Sequence, residues 1–249
     1  MTKELEGVSS KTVGFQGQDD PSDPLNWSTT YKWSVVCLVS MFTTVVTFAT
    51  LMCTPATPQI LDEFESHNTV YPVILVSIWE LGEGIGVLII APLSELFGRL
   101  PVWHTANVLF CLFSVTGALS TNIHMLIAFR FLNGVAVVAL ALEPAIISDL
   151  FPQEKRGMPM ALTSIAPLLG PVVAPIIGSY LSQARGWRWV FWLVTVVAGT
   201  FEVLSIFVLR ETYRVKILRK KTQRLRSEMG DVSLVSQYGD AHGSNTSVA

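Results

Sequence analysis

Charged side chains are scarce in this sequence. Only 14% of its 249 residues are Asp, Glu, Lys or Arg, whereas 50% are hydrophobic. Soluble domains carry about 25% charged residues, so the composition excludes an ordinary soluble domain. The deficit is also uneven, because no charged residue lies between Lys32 and Asp62. The scarcity of charge therefore predicts a membrane protein.

Residues that build catalytic or metal centres are few as well. The chain has three cysteines, Cys37, Cys53 and Cys111, and each lies inside an apolar run. They give neither a disulfide framework nor the spacing of metal ligands. The sequence also shows no nucleophile elbow and no phosphate-binding loop. It therefore predicts neither an enzyme nor a bound cofactor.

Six apolar runs account for the hydrophobic excess. They cover residues 33–52, 70–90, 102–120, 125–150, 158–181 and 189–209. A helix needs about 20 apolar residues to cross a bilayer, and the runs are close to or above that length. We therefore predict an all-α, polytopic membrane protein with a six-helix transmembrane bundle over residues 33–209. Residues 1–32 are expected to form a disordered tail, and residues 210–249 a basic and then polar tail.

The basic residues divide unequally between the two membrane faces. Six spans place both termini on one face, and that face holds ten Lys or Arg residues close to the spans, against two on the other face. Because positively charged loops remain in the cytoplasm, we expect both tails to be cytoplasmic. The ten residues are Lys32, Arg99, Lys155, Arg156, Arg210, Arg214, Lys216, Arg219, Lys220 and Lys221. The basic stretch after the last run is expected to meet anionic lipid rather than nucleic acid.

A weak internal repeat relates the two halves of the bundle. Residues 77–78 and 164–165 both read Ser-Ile and lie 87 residues apart. Residues 55–56 and 144–145 both read Pro-Ala and lie 89 residues apart. Similar segments at a fixed separation indicate a structural repeat. We therefore predict that the six helices form two three-helix repeats.

Apart from Asp149 at the end of the fourth run, five charged residues lie inside the predicted spans: Glu80, Glu83, Arg130, Glu143 and Glu202. Each costs about 2.5–3.5 kcal/mol to insert, so each requires a structural or a functional reason. Glu80 and Glu83 are three residues apart and share one helix face, where two neighbouring carboxylates do not both ionise easily. That arrangement suits a proton carrier, and a purely structural hydrogen bond is the alternative.

Arg130 keeps its charge at any ordinary pH. It therefore requires an acid, a carbonyl group or a water-filled cavity nearby, or it must extend to the membrane surface. Glu143 and Glu202 are candidates to face a cavity. Glu143 precedes Pro144, where helix bending frees backbone groups. The sequence leaves open which acid pairs with Arg130.

The fifth run combines two spacings of four residues. Gly170, Ala174 and Gly178 place small residues on one face, which lets another helix approach closely. Prolines repeat at the same interval, and prolines free backbone carbonyls and permit bending. These prolines are Pro167, Pro171 and Pro175. The pattern predicts a helix that packs tightly and can flex.

Several of these segments resemble motifs of the major facilitator superfamily, in its fungal drug:proton antiporter branch. Residues 91–101 read APLSELFGRLP and are similar to the signature loop between the second and third helices of that family, where Glu95, Gly98 and Arg99 match. Arg130 resembles the arginine of the Arg-x-x-Gln-Gly element, which the family associates with proton coupling. The fifth run is similar to the antiporter motif, through Gly170, Pro171, Ala174, Pro175 and Gly178.

The resemblance implies half of a major facilitator fold, because family members have twelve helices. It implies a plasma-membrane transporter that exports small amphipathic molecules or drugs by proton-coupled alternating access. Arg130 with either Glu80 or Glu83 would form the proton-linked centre. Glu95 and Arg99 would brace the cytoplasmic gate.

Expected partners follow from the same resemblance. They are the lipid bilayer, a small-molecule substrate, protons, and a second six-helix half or a second copy of this chain. The alternative is a truncated or non-transporting half that acts only as a membrane-embedded subunit. A face rich in small residues, such as that of the fifth run, favours a partner helix bundle.

Overall fold

The structure is a computed structural model that describes residues 8–9, 12–15, 20–66, 68–137, 139–229 and 234–238. α-Helices make up most of the described residues. They are α1 (Thr29–Leu51), α2 (Thr57–Glu63), α3 (Tyr71–Phe97), α4 (Arg99–Ala118), α5 (Ile123–Val135), α6 (Ala139–Leu150), α7 (Gly157–Arg185), α8 (Arg188–Val208) and α9 (Arg214–Met229). Short 3-10 turns lie at Pro24–Asn26 and Gln153–Lys155. The two-residue strands β1 (Val8–Ser9), β2 (Thr12–Val13) and β3 (Val235–Ser236) pair in that order, antiparallel and then parallel.

Within the described part of the chain, five helices are long and apolar enough to cross a membrane. They are α1, α3, α4, α8 and the segment Gln153–Arg185 that contains α7. The remaining predicted span is divided between α5 and α6, so the expectation of one helix over residues 125–150 is wrong. The Val137 N–H donates to the Gly134 carbonyl at 3.0 Å, and such a tightened turn closes a helix. The predicted all-α, polytopic fold is confirmed.

Three helix pairs carry most of the packing: α3 with α5, α1 with α7, and α4 with α8. Counted as spans one to six, these pairs are second with fourth, first with fifth, and third with sixth. When spans one to three are exchanged with spans four to six, the second–fourth pair becomes the first–fifth pair, and the third–sixth pair is unchanged. Two three-helix repeats related by a two-fold axis give this pattern.

Glycines set the distance between α3 and α5. A Cβ atom added at Gly82 would overlap the carbonyl oxygen of Phe131, and one added at Gly134 would overlap the carbonyl oxygen of Trp79. The two backbones are therefore in direct contact. Small residues at a helix interface permit such an approach inside a membrane, where apolar side chains gain little from leaving the lipid.

Aromatic side chains fill the centre of the bundle. The ring of Phe42 lies 5.4 Å from that of Trp103, and the ring of Phe110 lies 6.0 Å from that of Trp79, between centroids. All four side chains are buried. Large apolar side chains also cover the outer surfaces of α3, α7 and α8, and Leu88 is 75% exposed. Lipid tails are as apolar as these side chains, so the outer surface fits a bilayer.

The structure differs from the expected disordered tail over residues 20–32. Asp23 caps the 3-10 turn that follows it, and α1 begins soon afterwards. Asp20 pairs with Lys221 at 2.9 Å, and Asp23 pairs with Arg214 at 2.8 Å. Both acids are buried, and both cations belong to α9. Charge pairing with the basic stretch therefore orders residues 20–32, although the composition of this segment predicted disorder.

The expected basic tail is also partly folded. α9 buries Leu218, Thr222 and Leu225, which are spaced four and three residues apart and so share one helix face. The high charge of this stretch hid its amphipathic pattern. Residues 1–7, 10–11, 16–19, 230–233 and 239–249 of the two predicted tails lie outside the described residues.

Candidate functional site

Backbone carbonyls hold Arg130 inside the bundle, where it is 1% exposed. Its Nε donates to the Leu75 carbonyl at 3.1 Å. Its two terminal nitrogens donate to the carbonyls of Ala49 at 3.1 Å and Thr50 at 3.2 Å. The guanidinium carbon lies 4.7 Å from the ring centroid of Trp79. The alternative that Arg130 extends to the membrane surface is therefore wrong.

The end of α1 explains why a cation is stable at this position. Ala49 and Thr50 lie in the last turn of α1, where carbonyl groups lack partners within the helix. The C-terminal end of a helix also carries partial negative charge and attracts cations. Arg130 thereby joins α1, α3 and α5 through hydrogen bonds whose acceptors are all backbone carbonyls.

The two acids of α3 lie near this centre but do not form ion pairs with Arg130 in the part of the chain that the structure describes. Glu83 is half-buried and accepts a hydrogen bond from Nε1 of Trp79 at 3.1 Å. Glu80 is exposed. Trp79 thus lies between cation and carboxylate. Sequence reasoning missed Trp79, although its spacing of four residues from Glu83 places both on one helix face.

Glu143 lies on α6 and contacts α1. Its carboxylate accepts a hydrogen bond from the hydroxyl of Thr43. Thr43 is buried and Glu143 is half-buried, so the contact lies at the α1–α6 interface. Pro144 sits inside α6 without ending it. The span is therefore divided before α6 and not at the proline, where the sequence predicted only a bend.

Glu202 is buried between α8 and α4, so the expectation that it faces a cavity is wrong. Its carboxylate accepts hydrogen bonds from Asn107 Nδ2 at 2.8 Å and Ser205 Oγ at 3.1 Å, and lies 2.5 Å from Nδ1 of His104. His104 and Asn107 share a face of α4 at a spacing of three, which is the signal that could have found them. Across the described ranges, no group of three or more His, Cys, Asp or Glu could hold a metal ion.

The turn between α3 and α4 is built on Gly98. Its φ of +94° is a conformation that glycine adopts readily. Glu211 accepts a hydrogen bond from the Arg99 N–H at 2.9 Å. Lys216 binds the Phe97 carbonyl and pairs with Glu211 at 3.1 Å. The segment that follows α8 therefore closes onto the turn.

The side chain of Arg99 links this turn to the end of α6. Its Nε lies 3.5 Å from Oδ2 of Asp149, and its Nη1 donates to Oγ of Ser94 at 2.5 Å. The guanidinium carbon lies 5.0 Å from the ring centroid of Tyr213. Glu95 is exposed and forms no ion pair among the described residues. The structure therefore gives Arg99 acidic partners other than the one expected from the loop sequence.

The residues singled out on α7 divide between two sides of the helix. The small residues face α1, where a Cβ atom added at Gly178 would overlap the Met52 carbonyl. These buried small residues are Gly170, Ala174 and Gly178. Pro171 is exposed and Pro175 is half-buried. The helix nevertheless runs unbroken over Gly157–Arg185.

Comparison with known proteins decides the family. Residues 35–239 match the family model described as Major Facilitator Superfamily. The chain belongs to the Major Facilitator Superfamily. Apart from Trp33 and Ser34, the match covers all six predicted spans, and it extends through α9. The resemblance of the chain to this superfamily is therefore confirmed.

Fungal transporters are among the relatives of this superfamily chain. It is 44% identical over 226 residues to the efflux pump radE of Floropilus chiversii, which covers 90% of this chain and 42% of that protein. It is 45% identical over 226 residues to the MFS-type transporter tndD of Aspergillus flavipes, with 90% and 42% covered. The chain thus spans less than half the length of these curated relatives.

Solved structures of the superfamily share the fold. The proton:xylose symporter XylE bound to 6-bromo-6-deoxy-D-glucose superposes with a TM-score of 0.70 at 18% identity, over 85% of this chain and 51% of that chain. An inward-facing bacterial homologue of the human lysosomal transporter Spinster gives a TM-score of 0.65 at 19% identity, over 76% and 46%. The six-span bundle is therefore similar to about half of each structure.

Proposed function

We propose that this chain forms one half of a transporter that exports small amphipathic molecules in exchange for protons by alternating access. The observation that carries the proposal is the series Arg130, Trp79 and Glu83. It links a buried permanent cation to a half-buried carboxylate inside the membrane. Intramembrane ionisable groups of this kind mark ion and proton pathways. The name of the efflux pump radE favours export as the direction.

Proton binding at Glu83 would act on three helices together. Glu83 and Trp79 lie on α3, Arg130 lies on α5, and two carbonyl partners of Arg130 lie on α1. Loss of the negative charge on Glu83 would change the electrostatic energy of the guanidinium group, which is large where water is excluded. A proton shifts a conformational equilibrium only through its different affinity for the two states. Rearrangement around Arg130 supplies that difference.

The contacts of Arg99 suit a gate at the membrane surface that holds both tails. Asp149 on α6 and Glu211 after α8 both bind Arg99, so three separate parts of the bundle meet at one residue. We assign this surface to the cytoplasm, as the distribution of basic residues predicts, and the membrane to the plasma membrane. Closing and opening of this network would accompany the rocking of the two halves.

We assign part of the exposed apolar surface, on α3 and α7, to contact with a second six-helix half and the rest to lipid. Leu168 is 75% exposed and Tyr180 is 76% exposed on α7, and Leu81 is 56% exposed on α3. Curated relatives are more than twice the length of the matched region. Substrate sites of such transporters lie near the bilayer midplane between repeats. The substrate would therefore bind between this bundle and its partner.

Flux measurements in proteoliposomes test the proposal. The purified chain is reconstituted alone, and also together with the part of radE that it does not match, and the vesicles are loaded with rhodamine 6G. We expect dye movement driven by an imposed pH gradient when both parts are present. Glu83→Gln should leave dye movement but remove its dependence on the gradient. Glu80→Gln, the same change on the exposed acid of α3, should leave both unchanged.

Arg130→Ala provides the decisive comparison. It should abolish gradient-driven flux, and flux that keeps its pH dependence in this variant would contradict the proton-linked role. The second candidate function is a membrane-embedded subunit that transports nothing, for which the exposed apolar faces of α3 and α7 would be the contact with its partner. A stable complex of the two parts without any dye flux would support that candidate and overturn the first.

A further inference from the structure

A basic pocket lies where α9 meets the beginning of α4. Its volume is about 460 Å³. Four cationic side chains and two acidic side chains line it, next to the apolar Leu100 and Pro101. The charged residues are Lys216, Lys220, Lys221, Arg224, Glu211 and Glu228. The excess of positive charge makes the pocket suitable for an anionic group.

Two of the four cations, Lys220 and Arg224, have side chains that are mostly exposed. Lys216 and Lys221 are neutralised by acids at 3.1 Å and 2.9 Å, respectively. Lys220 is exposed and takes part in no ion pair in the described chain. Arg224 pairs with Glu228 at 2.7 Å, but its side chain is 72% exposed, and exposed pairs of this kind contribute little. Lys220 and Arg224 are four residues apart and therefore share a face of α9.

An apolar groove continues from this pocket along the bundle. Its volume is about 490 Å³, and α3, α4 and α5 form its walls. Pro101 lines both the groove and the basic pocket. Thr105 is the polar exception among the lining residues, which include the exposed Leu93 and Leu109. The groove therefore faces the lipid tails, and at Pro101 it adjoins the basic pocket.

The length of the groove matches one leaflet of a bilayer. Its lining extends along α4 from Pro101 to Phe113, and twelve residues of helix rise about 18 Å. Half of a bilayer hydrocarbon core is about 15 Å thick. An acyl chain that entered at Pro101 would thus be covered over most of its length.

We propose that the chain binds one phospholipid with a net negative, phosphate-bearing headgroup at this site. The headgroup contacts Lys220 and Arg224, and one acyl chain occupies the groove between α3, α4 and α5. Basic residues beside a transmembrane helix attract anionic lipid, and the groove adds the apolar contact that a soluble anion lacks. The bound lipid would hold α9 against the turn at Gly98. The proposal does not rest on the proposed transport activity, although Glu211 belongs both to the basic pocket and to the network around Arg99.

Native mass spectrometry of the purified chain in detergent tests the headgroup contacts. The probes are phosphatidylserine, phosphatidylcholine with the same acyl chains, and glycerophosphoserine, which has none. We expect phosphatidylserine to bind more tightly than either of the other two. Lys220→Gln and Arg224→Gln should each weaken it about fivefold. Lys155→Gln removes an exposed charge before α7 and should have no effect.

A matched pair on α4 tests the groove. Thr105→Trp places a bulky ring in the groove and should weaken phosphatidylserine binding, whereas Val108→Trp changes an exposed residue outside it and should not. Equal losses from Lys155→Gln and Lys220→Gln would show diffuse surface attraction and overturn the proposal. Glycerophosphoserine that binds as tightly as the lipid, with no effect of Thr105→Trp, would show a soluble-anion site and also overturn it.

Discussion

Replacement of Glu202 by leucine should weaken the packing of α8 against α4. Glu202 is 5% exposed, and its carboxylate accepts hydrogen bonds from Asn107 at 2.8 Å and from Ser205 at 3.1 Å. Leucine is apolar and of similar size, so it removes the acceptor without leaving a large cavity. The expected loss of stability therefore comes from the donors that remain on α4.

The size of the stability loss depends on which hydrogen bonds each donor keeps after the substitution. Asn107 is 0% exposed and would lose its partner, and a buried unsatisfied group costs about 1–3 kcal/mol. Ser205 also donates to the backbone carbonyl of residue 202 at 2.8 Å, a contact that leucine retains. The side chain of His104 is 25% exposed, so it is less desolvated than Asn107 and loses less when the contact is removed. We therefore expect Glu202→Leu to cost about 2 kcal/mol, nearly all of it from Asn107.

Reversible unfolding of the purified chain in mixed micelles, titrated with sodium dodecyl sulfate, measures this cost. Glu202→Gln keeps an acceptor for Asn107 and should lose less than half as much. The double variant Glu202→Leu/Asn107→Leu removes both partners, and its cost should fall below the sum of the single costs by about 1 kcal/mol. Additive costs within about 0.3 kcal/mol would refute the reasoning, because they would mean that the two side chains do not interact.

Two further predictions concern helix packing and the α2–α8 contact. Gly134→Leu should lower the free energy of unfolding by at least about 3 kcal/mol, because it forces α3 and α5 apart. At Gly84 an added Cβ meets open space, so Gly84→Leu should change the free energy of unfolding by less than about 0.5 kcal/mol. Equal effects of the two substitutions would contradict the close-packed interface. Hydrogen bonding to Arg188 lowers the pKa of Glu63, so the stability from this pair is present above the ordinary carboxyl pKa and is lost as the pH falls through the lowered pKa. Arg188→Ala should raise the pKa of Glu63 in an NMR titration and remove this part of the acid dependence, and an unshifted titration would exclude the pair.

The spans could be predicted from the sequence because a bilayer imposes its thickness on any helix that crosses it. Five of the six predicted runs each contain one long helix. The division between α5 and α6 escaped prediction, since it depends on a local turn at Gly134 within a continuous apolar run. Charge pairing with α9 likewise ordered Asp20 and Asp23, and a local composition does not reveal a partner about 200 residues away.

The sequence indicated which charged residues of the candidate site lie inside the membrane, but not which groups they contact. Arg130 and Glu83 were singled out because charge inside a membrane is costly, but the sequence left open whether an acid, a carbonyl group or a cavity lies beside Arg130. The structure supplies carbonyl groups, which every residue carries and which no sequence motif marks. The partners of Arg99 were missed for a related reason, because Asp149 and Glu211 reach it only after distant segments have packed.

The carbonyl partners of Arg130 have a consequence for comparative genetics. Substitutions at Ala49, Thr50 and Leu75 leave the acceptor atoms in place, so no change at these positions can compensate for a change at Arg130. Pairs of residues that touch through side chains leave correlated substitutions in related sequences, whereas a contact to the peptide backbone does not. A covariation map of related transporters should therefore show no coupling between position 130 and the three residues that hold it.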